Sequence, residues 1–397
     1  MNTETKHSII KKTTLCMLTV FIFSIILTAC GKEKTEMDSW AEAAELDKDE
    51  TADELYEAAK KEDVLKIYTV SSRLFDVAES FQKQYPDLLV EVTYYRAEEI
   101  TTRLAANKSS GNYDCDLIFI TNGDGSITEN LIPNQLAYKY VPKDIQKSLR
   151  TGGSDKYLSI LLEVPLLTYN SNVYDKPPIS NWWELTEEKW RGKLYITNPS
   201  KSMISYTMFA MFIQHSEEME KAYKDYFAKD FVPENGENAG EAFIRMLIEN
   251  DINVVNDSDD AANAIASPVT PNDAVGILNA SKLRMKEQGY PLEVCYNPAP
   301  FAGVINPANI MIAGGSENIN SAKLFIRWIL GETDGKGEGY KPFLQEGAWP
   351  GRTDVDGGAS MKLEDMNVIY TDEEFASRER AAFLEFWNKT YGEHRSQ

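Results

Sequence analysis

Two short polar runs stand where apolar runs of strand type end: Ser71-Ser72-Arg73 after residues 64–70, and Ser200-Lys201-Ser202 after residues 192–197. Hydroxyls, a cationic side chain and unpaired backbone N–H groups at the start of a helix are the groups an anion needs. Each serine taken alone is explained as well by N-capping, worth about 1 kcal/mol per helix. Two such junctions in one chain point instead to a small ligand gripped from two sides. Arg73 has the fork geometry to pair bidentately with a phosphate or carboxylate, although an arginine in a first helical turn is more often turned to solvent. Asn122 and Asp124, in Asn-Gly-Asp-Gly after a third apolar run, would face the same mouth, with turn formation as the equal alternative. Tyr206, Asp273 and Asn279 complete the ligand-binding candidates.

Parts for catalysis are scarce. The chain has 3 histidines, of which His215 and His394 lie far apart in the body. It contains no Gly-x-Ser-x-Gly elbow, His-Glu-x-x-His helix or Walker loop. Acid pairs such as Asp259-Asp260 are common in so acidic a chain and carry little weight as acid and base. The reading is therefore of a protein without catalytic residues, resident cofactor or bound metal.

The first thirty residues set the compartment. Lys6, Lys11 and Lys12 precede an apolar run over 15–27 that is too short and too early for an ordinary spanning helix, and so reads as a signal peptide. The run ends in Leu27-Thr28-Ala29-Cys30-Gly31, which resembles a bacterial lipoprotein signal, with Cys30 as the lipidation site. Loss of 1–29 removes one glutamate and three lysines and takes the formal charge from −21 to −23. A chain so acidic disfavours nucleic acid and anionic lipid as partners, without fixing the charge of a ligand held in a local pocket. Only Cys115 and Cys295 remain in the body, too few for a disulfide framework or a thiolate metal cluster. Cys115 reads as a small buried hydrophobe in a strand.

Residues 30–52, rich in Lys, Glu, Asp and Ala, read as a tether, and about 345 residues follow, more than one core usually supports. After a first helix around Leu55 and Ala59, a strand over 64–70 leads to a helix with Leu74, Val77, Ala78 and Phe81 on one face, halted at Tyr85-Pro86. A strand over 88–95, a helix over 98–107 and a strand over 115–120 continue the alternation, the pattern of a parallel sheet covered by helices. After a polar stretch, extended character resumes over 158–169, with Glu163-Val164-Pro165 at its middle as a crossover. A second α/β segment then holds a helix at Trp182-Trp183, strands over 192–197 and 273–279, and an apolar helix over 202–214. A return strand over 303–312 and a helix closed by Gly331 follow.

This order of segments resembles the family 1 extracellular solute-binding proteins of ABC importers, in the ferric-iron and sugar-phosphate binding branch. The matching pieces run from Leu55-Tyr-Glu-Ala-Ala-Lys-Lys-Glu62 and Tyr68-Thr-Val-Ser-Ser-Arg73 through Phe81-Gln-Lys-Gln-Tyr-Pro86, Glu163-Val164-Pro165 and Trp190-Arg-Gly-Lys193. Asn198-Pro-Ser-Lys-Ser202 and Ala322-Lys-Leu-Phe325 follow, so that the likeness spans roughly 53–355. It implies the two-lobed α/β fold of type II periplasmic binding proteins, each lobe a mainly parallel sheet flanked by helices, joined by crossing hinge strands that close on a ligand. Lobe one would hold 53–163 with about 303–355, lobe two 164–302, and 356–397 would be a helical segment packed on both. The implied partners are a small-molecule ligand, an importer's permease and ATPase subunits, and the membrane through the lipid, with the protein a monomer. It would stand outside the cytoplasm, on the outer face of the cell membrane or in a periplasm. Ferric binders of this branch use adjacent tyrosines late in the second lobe; this chain has Ile277-Leu278-Asn279-Ala280-Ser281 near that position, which favours a phosphorylated or other anionic molecule over iron. A sensory surface receptor or an anchored enzyme on the same fold remains open.

Overall fold

Apolar runs and helical periodicity in the sequence become elements at nearly the positions read above. The structure, a computed structural model, describes residues 34–121, 123, 125–150, 156–234, 236–269 and 272–396. Residues 1–29, read as a leader, Cys30, Asn122 and Asp124 lie outside the described residues.

Residues up to Ala44 form a unit apart from Glu45–Gln397. Within 30–52, read as a tether, there is a helix, α1 (Glu36–Ala43), whose start is fixed by a capping box between Thr35 and Asp38. Its Glu, Met and Ala residues are good helix formers, so propensity and cap act together.

In the larger unit, α2 (Ala52–Ala59) precedes β1 (Leu65–Thr69), α3 (Arg73–Gln84), β2 (Val90–Tyr94), α4 (Ala97–Ser110) and β3 (Leu117–Thr121). The buried face of α3 is Leu74, Val77, Ala78 and Phe81, the spacing that predicted it. β1 pairs in parallel with β2 and β3, so all three strands end at one edge of the sheet. After β4 (Ala137–Tyr138) come β5 (Leu158–Glu163) and β6 (Pro165–Asn170), one residue apart. Apart from one strand that both touch, they choose different neighbours. β5 pairs with β11 (Gly303–Ala313) and β12 (Ala348–Pro350), whereas β6 pairs with β9 (Val275–Asn279) and β10 (Leu292–Cys295). Proline at the first position of β6 costs no ladder donor in its interior.

The second half carries β7 (Leu194–Thr197), parallel to β8 (Asn253–Val255) and β9. Its helices are α5 (Met203–Gln214), α6 (Ser216–Phe227), α7 (Ala239–Glu249) and α8 (Ser258–Ala266). α5 is buried from Ser205 through Phe212, as its all-round apolar sequence requires. Trp182 and Trp183, expected on an α-helix, lie on a 3-10 stretch (Trp182–Thr186), because Asn181 caps it within one turn and both indoles enter the core.

The strand order β2-β1-β3-β11-β6-β9-β7-β8 makes one continuous sheet. β11 joins its halves: Gly303 pairs with Leu166 of β6, while residues from Asn306 onward pair with β5 and those from Ala308 onward with β3. A Cβ on Gly303 would lie 2.3 Å from the Pro165 carbonyl oxygen, so only glycine lets the two crossing strands meet. The outer strands run parallel and the crossing strands antiparallel. α9 (Ile319–Ile329) covers the first half and ends before Gly331 at φ +78°. β13 (Val368–Tyr370) adds to β11, and the long α10 (Glu373–Arg395) packs Ala376, Phe383 and Trp387 into the core around Tyr206 and Phe209.

Candidate functional site

The carboxyl ends of β1, β2, β3 and β9 open on one cleft of about 800 Å³, the size of a small-molecule site and the place where open α/β sheets hold ligands. From β1 come Ser71, Ser72 and Arg73. The main chain there is fixed by Thr69, whose Oγ1 accepts from the Ser71 N–H at 2.9 Å. Ser72 occupies the cap position of α3 without giving it a side-chain hydrogen bond, and Ser71 Oγ accepts only a long 3.4 Å contact from the Arg73 N–H. The capping alternative raised by the sequence is thus hardly used, and both hydroxyls remain on the cleft wall.

Across from them, β9 ends in Asn279 and continues into a 3-10 helix (Ala280–Gln288) that Asn279 leaves uncapped. Ser281, Lys282 and Arg284 of this helix line the cleft with Ser258 from the start of α8. The α8 terminus is already occupied, since Asp257 accepts from the N–H groups of Asp259 and Asp260 at 2.9 Å each. Glu163, the last residue of β5, lies between the two walls. Its carboxylate is 3.7 Å from an Arg73 nitrogen and accepts from Asn279 Nδ2 at 3.3 Å. Asn279 Oδ1 is buried and has no hydrogen-bond partner among the described residues.

Charge in the cleft opposes that of the chain. Three cations, Arg73, Lys282 and Arg284, face one carboxylate, Glu163, among the described lining residues. Lys282 also pairs with Asp259 at 2.5 Å, and Arg284 donates to the Ser281 carbonyl at 2.8 Å. Counting Asp259, one positive charge is left over, in a protein of net charge −21. Low-dielectric walls focus such a local excess.

The second anion site expected from the sequence is not on this cleft. Ser200 Oγ donates to Asn388 of α10 at 3.5 Å, Ser202 Oγ accepts from Thr197 Oγ1 at 2.7 Å, and the exposed Lys201 does not line the cavity. Tyr206 is fully buried; its hydroxyl donates to the Ala376 carbonyl, its ring meets Phe383 at 5.1 Å, and burial pushes its phenol up to about 12. Asp273 pairs with Lys193 at 2.6 Å and also lies off the cleft. The C-terminal helix α10 packs on the β7–α5 segment through Asn388 and Ala376, and from that segment Ile204 is the described residue that lines this cleft, whose second wall is the β9 exit. Ser258, Ser281, Lys282 and Arg284 were not among the sequence candidates, Glu163 entered there only for its place in the crossover, and Asn279 stood beside Tyr206 and Asp273. The signal was present in Asn279-Ala-Ser-Lys-Leu-Arg284, a polar, cationic run closing an apolar strand as Ser71-Ser72-Arg73 does.

Two α/β halves linked by crossing strands, with a cleft at the strand ends, define the architecture of a type II periplasmic binding protein. The chain belongs to the bacterial extracellular solute-binding proteins, whose family model matches residues 76–366. It is thus an extracytoplasmic solute-binding protein. Among curated protein sequences none matches. Solved structures with the same fold include iron-bound HitA from Pseudomonas aeruginosa, at TM-score 0.63 and 15% identity, covering 83% of this chain and 99% of that one. The periplasmic binding protein AfuA from Actinobacillus pleuropneumoniae, with fructose-6-phosphate bound, aligns at TM-score 0.60 and 20% identity over 83% of this chain and 99% of its own. A ferric binding protein from Campylobacter jejuni aligns at TM-score 0.58 and 17% identity, over 82% and 99%.

Proposed function

We propose that this chain is the substrate-binding lipoprotein of an ABC importer, which captures a phosphorylated or other anionic small molecule and delivers it to a membrane permease without acting on it chemically. The observation that carries the anionic reading is the local excess of positive charge at Arg73, Lys282 and Arg284, set beside free serine hydroxyls in a strongly acidic chain. The ligand would sit between a lobe of 53–163 with about 303–355 and a lobe of 164–302, which close about the strands that cross at 163–165 and 303–306. Residues 356–397 would brace the pair, and Cys30 would hold the monomer to the outer face of the membrane through its lipid.

Iron, bound by two of the similar proteins, suits this cleft less well. Among the described residues its lining offers one phenol, Tyr94, and one carboxylate, Glu163, against three cations, an unfavourable set for a bare trivalent ion. Titration calorimetry with glycerol 1-phosphate, alkyl phosphonates and ferric citrate separates the readings. Binding of the organophosphate is expected; tight binding of iron with no response to any phosphate or phosphonate would overturn the anionic assignment. Native mass spectrometry of protein purified without denaturation identifies a retained ligand directly. Labelled palmitate should enter the wild-type protein and not Cys30→Ala.

A further inference from the structure

We propose that Glu163 makes the cleft selective for anions that carry their own hydrogen-bond donor, a hydroxylated organophosphate or carboxylate rather than an alkyl one. This rests on the anion-binding reading above and narrows its ligand class. Glu163 is the only carboxylate among the described lining residues, placed at the crossover where it touches both walls. An ionised carboxylate offers about four lone-pair sites and no donor. Here the protein supplies one hydrogen bond, from Asn279 at 3.3 Å, while Arg73 stays at 3.7 Å, beyond hydrogen-bonding range. The amide that serves Glu163 is itself short of a donor. With Nδ2 turned to Glu163, its Oδ1 is left buried and unpartnered among the described residues. Glu163 therefore keeps lone pairs without donors in the same cleft as the three cations.

An ion with only acceptor oxygens satisfies Arg73, Lys282 and Arg284 and is repelled by Glu163. A ligand with a hydroxyl near its anionic group satisfies both: the anion takes the cations, and the hydroxyl donates to Glu163. Leaving a partly buried acceptor unpaired is costly, so the discrimination should be at least about tenfold, about 1.4 kcal/mol.

Glycerol 1-phosphate and propyl phosphate have the same chain length and charge and differ in two hydroxyls, and titration calorimetry of both at about pH 8 keeps each a dianion. Wild-type protein is expected to favour glycerol 1-phosphate by about tenfold or more. Glu163→Gln, which keeps shape and removes the repulsion, is expected to bring the two within about twofold, mainly by tightening propyl phosphate. Glu163→Asp, which retains the charge but draws it back by one methylene, should give an intermediate ratio. Equal binding of the two phosphates by wild type, or a ratio unchanged in both variants, overturns the role of Glu163 and leaves the anion reading intact. Failure of either phosphate to bind any of the three proteins overturns both.

Discussion

Replacing Arg73 by methionine removes a charge from the cleft and keeps the unbranched apolar stem of the side chain. In the structure its guanidinium meets Glu163 at 3.7 Å and lies 6.0 Å from the Phe343 ring centroid. The side chains of Arg73 and Glu163 are 22% and 20% exposed, and the separation is longer than a hydrogen bond. Loss of such a pair should cost folding at most about 1 kcal/mol, roughly 2 °C of Tm for a unit this large. Ligand binding should suffer more. A hydrogen bond to a charged group is worth about 1.5–3 kcal/mol, which predicts a fall in affinity for glycerol 1-phosphate of roughly ten- to hundredfold. The uncompensated charge of Glu163 adds to the loss. Calorimetry measures the affinity, and thermal denaturation checks that the fold is kept. Lys201→Met, which removes the same charge from the junction roofed by α10, should leave the affinity unchanged. An affinity for Arg73→Met within about twofold of wild type, or an equal loss in Lys201→Met, refutes the assignment of the cleft.

Tyr206→Phe deletes the hydroxyl that donates to the Ala376 carbonyl; chemical denaturation should show about 1 kcal/mol of lost stability, while phosphate affinity stays as it was. Gly347→Ala would put a Cβ 1.9 Å from the Ala280 carbonyl oxygen at φ +76°. It should cost at least about 2 kcal/mol and weaken binding by displacing Ser281, both readable on one preparation. The bond from Arg352 holds the Asp354 carboxyl down at about 2. Because a depressed acid stabilises the fold above its ordinary value, the advantage of wild type over Asp354→Asn should be constant above about pH 5 and vanish as pH falls from about 4 to 2. Asp354 is over a third exposed, so the plateau should be about 1 kcal/mol, and a pH-independent difference would contradict the pairing. Burial raises the thiol of Cys115 and pushes that of Cys295 up to about 12. Peptide mapping should find both alkylated only after denaturant is added, and rapid labelling of native protein would argue against their burial.

Periodicity and turn chemistry act within a few residues, and what they govern was legible in the chain itself. The spacing of Leu74, Val77, Ala78 and Phe81 gave α3 its buried face, and the apolar run before Ser71 made that serine a strand exit. Pro165 after Glu163 marked the change of strand partners. By the same local logic Ser200-Lys201-Ser202 looked equivalent to Ser71-Ser72-Arg73. Nothing within ten residues of it records that Asn388 and Ala376, nearly two hundred positions later, would close over that junction. The opposite wall at Asn279–Arg284 depends on β9 lying beside β6, and on β11 tying both to the half that holds β1. Those pairings are fixed by burial of two apolar faces across the whole sheet, an energy shared among distant residues and written in no single segment. Sequence therefore determined where strands run out into polar, cationic turns; the tertiary packing decided which two of those turns line one cleft.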